Sequence, residues 1–261
     1  MKHSLLRSVR EIAVAAGNTI LQHYVAGVTA QSKADGSPIT AADRAAHELI
    51  LTRLPALLPG IQVISEEAFD AQAPLPTGAF WLVDPLDGTK EFLQRNGEFT
   101  VNIALIENGE PVLGVVHVPV QDDTYAGEVR SASASGRAAW RWLGQGADGR
   151  SIRTRALPPQ GLTVLASRSH NDALALQKYL AGRKVANTVS AGSSLKFCVV
   201  ARGDADLYPR FGSTMEWDTA AGHAVLVAAG GQVATLDDQA LRYGKPGLRN
   251  PHFIASASKL T

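Results

Sequence analysis

The chain has 261 residues, long enough for one large domain or two modest ones around a substantial core. Apolar residues make up 45% and charged residues 19%, with a formal net charge of +1, so no global charge argues for nucleic acid or for an acidic interaction tail. Attraction for a charged ligand must be local.

At the N-terminus, Arg7, Arg10 and Glu11 interrupt the apolar positions before a signal-peptide core can form, so this end is expected to be retained. Leu6, Val9, Ile12, Ala13, Ala16, Ile20 and Tyr24 recur at spacings of three and four, which predicts a long opening helix. "SKADGSPIT" breaks it, and a second helix is expected from "TAADRAAHELILTRLPALLPG", where Thr40 and Asp43 fit a capping box. "AFWLV" reads as a strand apolar on both faces. "TVNIALIENGEPVLGVVHVPV" then predicts a hairpin around Asn108-Gly109.

Past "ALPPQG" the texture alternates. Strands are expected at "LTVLAS", "KVANTVS", "ADLYPR", "QVATL" and "HFIAS", with helices at "NDALALQKYLA", "SLKFCVVARG" and "TAAGHAVLVAAGG". The fold class is α/β, with an α+β first half over residues 1–157 and an α/β second half over 158–261. The boundary falls near Leu157 to Gly161. No window approaches the ~20 apolar residues of a membrane-spanning helix. The single cysteine, Cys198, excludes an intrachain disulfide, fits a reducing compartment and reads as a small buried side chain. The expected location is the cytoplasm, with peripheral attachment to the cytoplasmic side of an inner membrane compatible with it.

The chemistry concentrates in "AFWLVDPLDGTKEF". Asp84 ends a buried strand, Asp87 follows three residues later, and Gly88 opens what reads as a short helix carrying Thr89 and Lys90. A helix N-terminus suits a phosphate. One reading makes Asp87 a helix cap and Asp84 part of a turn stiffened by Pro85. The other has the carboxylates converge, and since two unit charges ~4 Å apart repel by roughly 4 kcal/mol at an effective dielectric constant of 20, convergence implies a hard cation, Mg²⁺ or a relative such as Mn²⁺.

"WLVDPLDGTKEF" together with "EWDTAAGHAV" resembles the paired signatures of the inositol monophosphatase superfamily of metal-dependent, lithium-sensitive phosphatases. "DGTKEFLQRNGEFTVNIALI", "GSSLKFCVVARGDADLYPRFG" and "ASRSH" are similar to its bacterial 3'(2'),5'-bisphosphate nucleotidase branch, over nearly the whole chain and in order.

That resemblance implies a layered α/β/α/β/α sandwich with metals where its two halves meet. It implies metal ligands at Glu66, Asp84, Asp87, Asp218 and the Leu86 carbonyl, with two or three Mg²⁺, Mn²⁺ as a substitute and Li⁺ as an inhibitor. It implies that Glu66 and Thr89 hold the attacking water and that Asp43 polarises Thr89. The phosphate would meet Asp87, Gly88, Thr89, Lys90 and Asp218, and the rest of the nucleotide His170, Ser193, Lys196 and Arg210. The implied activity is removal of the 3'-phosphate of adenosine 3',5'-bisphosphate, extending to 3'-phosphoadenylyl sulfate and so to sulfate assimilation.

Read as single residues, Asp218 in the first turn of an Ala-rich helix and Asp43 in a capping box have sufficient structural explanations. Lys196 and Arg210 could each be solvated charges. Glu67 and Glu216 receive no role. Competing functions are a sugar or inositol phosphatase of the same superfamily, an aspartyl-phosphate phosphatase, disfavoured by the Asp-Pro-Leu-Asp spacing, and a non-catalytic nucleotide sensor. The partner expected is a small nucleotide, with no nucleic acid and no transmembrane segment, and the sequence leaves the oligomeric state open.

Overall fold

A computed structural model describes residues 2–26, 31–32, 38–130, 136–144, 146, 148–167 and 173–259. The chain begins with α1 (Lys2–Ala26), a two-residue pair β1 (Gln31–Ser32) and β2 (Pro38–Ile39), and α2 (Ala41–Arg53). Thr40 caps α2 by accepting the Ala42 amide, and Asp43 returns the contact by accepting the Thr40 amide, which completes the predicted capping box.

Seven strands then build the first large sheet: β3 (Gln62–Ser65), β4 (Phe80–Asp87), β5 (Thr100–Glu107), β6 (Glu110–Val118), β7 (Asp123–Val129), β8 (Arg137–Leu143) and β9 (Arg150–Ser151), adjacent in that order. Only β3 and β4 run parallel; the remaining neighbours are antiparallel. α3 (Thr89–Leu93) sits between β4 and β5. Asn108 and Gly109 both adopt left-handed backbone, as the tight β5–β6 turn requires.

The second half contributes β10 (Leu162–Ser167), α4 (Ala173–Leu180), β11 (Val185–Ala191), α5 (Leu195–Ala201), β12 (Leu207–Arg210), α6 (Ala220–Ala228), β13 (Gln232–Thr235) and β14 (Phe253–Ser256). Its sheet has the order β11-β10-β12-β14-β13.

The apolar run of β4 reflects cover on both faces. Trp81 and Val83 join the core made with α1 and α2, whereas Phe80 and Leu82 join the core made with α5, α6 and the second sheet. β5 divides in the same way, with Ile103 and Leu105 on one side and Ala104 and Ile106 on the other. A third cluster joins Val164, Leu207 and Ile254 to Leu176, Tyr179 and Leu180 of α4. The layers are therefore α1/α2, first sheet, α5/α6, second sheet and α4, the expected α/β/α/β/α sandwich. Among the described residues no helix is long and apolar enough to cross a membrane.

The central layer is thin because both surfaces are small. A Cβ on Gly114 of β6 would stand 2.4 Å from the Ala221 carbonyl oxygen, and one on Gly127 of β7 would stand 2.6 Å from the Val225 Cα. With Ala220, Ala221 and Ala224 on the helix, α6 lies almost directly on the strands. That contact brings the segment preceding α6 to the end of β4.

Candidate active site

Asp84 pairs with Asn102 and Asp87 with Thr100, so two residues of β4, Pro85 and Leu86, stand opposite one of β5, Val101. This is a bulge. In a regular strand, residues three apart face opposite sides; the extra residue resets the alternation and puts both aspartates on one side of the sheet. Gly88 follows with φ 95°, a left-handed conformation costly for any other residue, and turns the chain into α3.

No side chain caps α3. Asp87 is engaged elsewhere: its Oδ2 accepts the Ser194 amide at 2.6 Å and the Asn102 side-chain amide at 3.4 Å. The capping explanation of Asp87 is thereby removed. Asp84 keeps part of its turn role, since its Oδ1 accepts the Leu86 amide at 3.0 Å.

These elements open onto a cavity of about 310 Å³. From the first half it is lined by Glu66, on the 3-10 turn after β3, and by Asp84, Leu86, Asp87, Gly88, Thr89 and Lys90. From the second half come Ser193 and Lys196 at the start of α5, Arg210 at the end of β12, and Asp218. Asp43 is buried in the first turn of α2, where its Oδ2 also accepts the Thr40 hydroxyl at 2.5 Å; any action on Thr89 would run through its other oxygen. His170 lies outside the described residues.

One expectation is corrected. Asp218 is not in the first turn of α6, which starts at Ala220; it sits in a tight turn ahead of it, in which the Thr219 and Ala220 amides both donate to the Glu216 carbonyl. Asp218 Oδ2 accepts the Met215 amide at 2.8 Å. Its bland explanation, a charge inside the first helical turn, is weakened accordingly.

The electrostatics are those of buried carboxylates crowded against one another. Asp84 is held well above the usual carboxylate range, first by desolvation and then by Glu66, Asp87 and Asp218. Asp218 is raised by desolvation and by Asp87 and Glu66, against the Met215 amide and Arg210. Asp87 is raised to about 6 by desolvation, although Lys196 and the Ser194 amide oppose the shift. The cationic side is buried as well. Lys196 is 3% exposed and its ammonium is lowered to about 8, mainly by desolvation.

Among the described residues, no group of three His, Cys, Asp or Glu donors stands close enough to enclose an ion. The carboxylates surround a shared volume instead. Asp84, Asp87 and Asp218 each have one oxygen held by a backbone amide, which leaves the other for a ligand. An all-oxygen, multiply acidic donor set of this kind fits Mg²⁺ or Mn²⁺ and does not fit a soft metal.

Sequence reasoning missed Tyr208, Thr214 and Thr219, which line the cavity, and Thr100, Asn102 and Ser194, which tie its two sides together. Tyr208 places its ring 5.2 Å from the Lys196 ammonium. An aromatic residue next to the Pro-Arg of "LYPRF" was the available signal. Nothing local marked Thr100 or Asn102.

A sequence profile described as the inositol monophosphatase family matches residues 1–260. The 3'(2'),5'-bisphosphate nucleotidase CysQ of Escherichia coli strain K12 is 46% identical over 264 residues, covering 97% of this chain and 99% of its own. The protein of the same name from Salmonella typhimurium is 48% identical over 254 residues, covering 95% and 98%. Among solved structures, CysQ from Bacteroides thetaiotaomicron, a bacterial member of the inositol monophosphatase family, superposes with a TM-score of 0.80 at 39% identity over 100% of this chain and 99% of its own. An inositol monophosphatase from Anabaena, 24% identical, shares the fold with a TM-score of 0.74 over 98% and 91%. The chain belongs to the inositol monophosphatase family.

Proposed function

We propose that the chain hydrolyses the 3'-phosphate of adenosine 3',5'-bisphosphate to give AMP and inorganic phosphate. The observation that carries this reading is the pairing, in one cavity, of the acidic group around Asp84 with the buried cations Lys196 and Arg210 of the other half. An inositol monophosphate has one anion to place. A nucleoside bisphosphate has two, and the cavity brings both an acidic set and a cationic pair to one ligand. The extended similarity to bisphosphate nucleotidases supports the same substrate.

In this reading Glu66, Asp84, Asp87, Asp218 and the Leu86 carbonyl hold two or three Mg²⁺, with Mn²⁺ as a substitute and Li⁺ as an inhibitor. The bound cations supply an activated water and charge neutralisation at the phosphoryl group. Glu66 and the Thr89 hydroxyl orient that water, and Asp43 orients Thr89. The first-turn amides of α3 are not used within the helix and are available to phosphate oxygens. Water oxygen bonds to phosphorus as the bond to the 3'-oxygen breaks; the water loses a proton and the ribose oxygen gains one. Lys196 and Arg210 hold the 5'-phosphate, and Ser193 and His170 the remainder of the nucleotide. 3'-Phosphoadenylyl sulfate would react in the same orientation, and the reaction would take place in the cytoplasm.

The test is phosphate release from adenosine 3',5'-bisphosphate and from inositol 1-phosphate in parallel, with Mg²⁺, with EDTA and with Li⁺. Mg²⁺-dependent, Li⁺-sensitive release that favours the nucleotide is expected. Preference for inositol 1-phosphate would overturn the substrate, and release in EDTA would overturn the metal chemistry.

A further inference from the structure

Between the acidic side of the cavity and Lys196 runs a chain of hydrogen bonds with one consistent direction. Ser194 Oγ is 2.6 Å from Asn102 Oδ1, and because an amide oxygen can only accept, the Ser194 proton is committed there. Thr100 Oγ1 is 2.9 Å from both Ser193 Oγ and Ser194 Oγ. With the Ser194 proton spent, Thr100 must donate to Ser194, sharing its proton with Asn102 Oδ1 at 3.2 Å, and Ser193 must donate to Thr100. The order is Ser193, Thr100, Ser194, Asn102, and the Asn102 amide then donates to Asp87 Oδ2 beside the Ser194 amide. Thr100 has no solvent exposure and Asn102 only 1%.

The far end of the chain is equally specific. Ser193 adopts φ 45°, a left-handed conformation uncommon for a residue with a Cβ, and an observed outlier of this kind needs fixed surroundings to persist. In that conformation its hydroxyl meets Thr100 while its carbonyl accepts Lys196 Nζ at 2.7 Å. The Ala191 carbonyl takes a second Nζ proton at 3.2 Å, and Glu98 fixes the loop through the Gly192 amide at 2.7 Å. Two of three ammonium protons are thus held by the backbone, and the third is left for a ligand.

We propose that Thr100 is a positioning residue that ties the Lys196 loop to Asp87, so that anion binding at Lys196 and cation binding at the carboxylates act through one hydrogen-bonded hub. This rests on the nucleotide reading given above. Thr100 touches neither ligand. It fixes Ser193, whose carbonyl aims Lys196, and Ser194, whose amide aims Asp87. Each ligand therefore rigidifies a loop that the other uses.

The test compares Thr100→Val, which keeps the shape and removes the hydroxyl, with Thr100→Ser, which keeps the hydroxyl. Two ligands are measured in separate solutions: AMP by calorimetry in EDTA, and Mg²⁺ by its midpoint for raising the melting temperature without nucleotide. Thr100→Val is expected to weaken both by about five-fold, and Thr100→Ser to hold both within about two-fold of the parent. A variant that melts earlier but binds AMP and Mg²⁺ normally, or that weakens only one of them, overturns the hub. Lys196→Met run in parallel separates failure of the hub from failure of the nucleotide reading. If it leaves AMP binding unchanged, the nucleotide reading falls and the hub falls with it, whereas weakened AMP binding beside an unaffected Thr100→Val removes the hub only.

Discussion

The Lys245 ammonium lies 2.6 Å from Glu216, a fully buried carboxylate two residues ahead of Asp218. Glu216 also accepts the Gly244 and Lys245 amides at 2.7 and 3.0 Å. Asn250, from the same segment, donates to Thr214 Oγ1, to the Met215 carbonyl at 2.8 Å and to Thr219 Oγ1 at 3.0 Å. The stretch after β13 is therefore a brace for the turn that presents Asp218, and Glu216, which the sequence left without a role, is its keystone.

Removing the cation should expose the cost of that arrangement. Lys245→Met leaves Glu216 buried with only amide donors, and breaking a buried pair costs about 3–5 kcal/mol. Because Lys245 keeps a quarter of its side chain in solvent, the lower end of that range is expected. Urea unfolding measures it, and a loss below about 0.5 kcal/mol, ordinary for a surface pair, would refute the brace.

The thin central layer gives a second prediction. Gly114→Ala places a methyl group 2.4 Å from the Ala221 carbonyl oxygen, a contact that only movement of α6 can relieve. Overpacking of this kind costs about 1–3 kcal/mol. Since Asp218 precedes α6, the Mg²⁺ concentration for half-maximal stabilisation should rise with it. Melting curves with and without Mg²⁺ report both effects, and lost stability with an unchanged Mg²⁺ midpoint would uncouple α6 from the carboxylates.

Asp87 contributes to the pH dependence beside Asp84 and Asp218, whose carboxyls are also raised. The folded-state value of Asp87, about 6, lies above the ordinary 3.8, so between those values the metal-free folded state binds more protons than the unfolded one. Its contribution to stability is present below pH 3.8 and is lost as the pH rises through 6. Lys196 works in the opposite sense: with its value lowered from 10.5 to about 8, its stabilising contribution is present above 10.5 and lost as the pH falls through 8. Mg²⁺ requires the ionised carboxylate, so the rise in melting temperature that it causes should grow from pH 4 to 6. In Asp87→Asn that growth should shrink, and an unchanged pH profile in the variant would assign the dependence to other groups.

The sequence made the contiguous parts of this site readable. Asp84, Asp87, Gly88 and Thr89 fall within six residues, and the apolar run before them reads as a strand covered on both faces. It did not show the bulge, because no residue in "VDPLDG" reports that two positions of β4 will face one of β5. The helix at Ala220 was visible, but its start was set by the Glu216–Ala220 turn, a matter of backbone hydrogen bonds that placed Asp218 outside the helix. Thr100 and Ser194 are 94 residues apart, and each reads locally as an ordinary strand or loop residue. Contacts between distant hydroxyls leave no periodic trace in a chain, and Gly114 and Gly127 acquire a meaning only from the α6 face that they meet.

At Lys196 binding and chemistry can be separated. Its ammonium is committed to the Ala191 and Ser193 carbonyls and flanked by the Tyr208 ring, so one proton remains for an anion, and arginine cannot reproduce that geometry. A hydrogen bond to a charged group contributes about 1.5–3 kcal/mol, which corresponds to roughly ten- to a hundred-fold in affinity. Lys196→Met should therefore raise KM for adenosine 3',5'-bisphosphate at least about ten-fold while kcat falls by less than about three-fold, because the bond being broken lies at the other phosphate. Lys196→Arg should recover only part of the loss. Steady-state kinetics at saturating Mg²⁺ decide it: an equal fall in kcat and in kcat/KM would move Lys196 from holding the distant phosphate to stabilising the transition state.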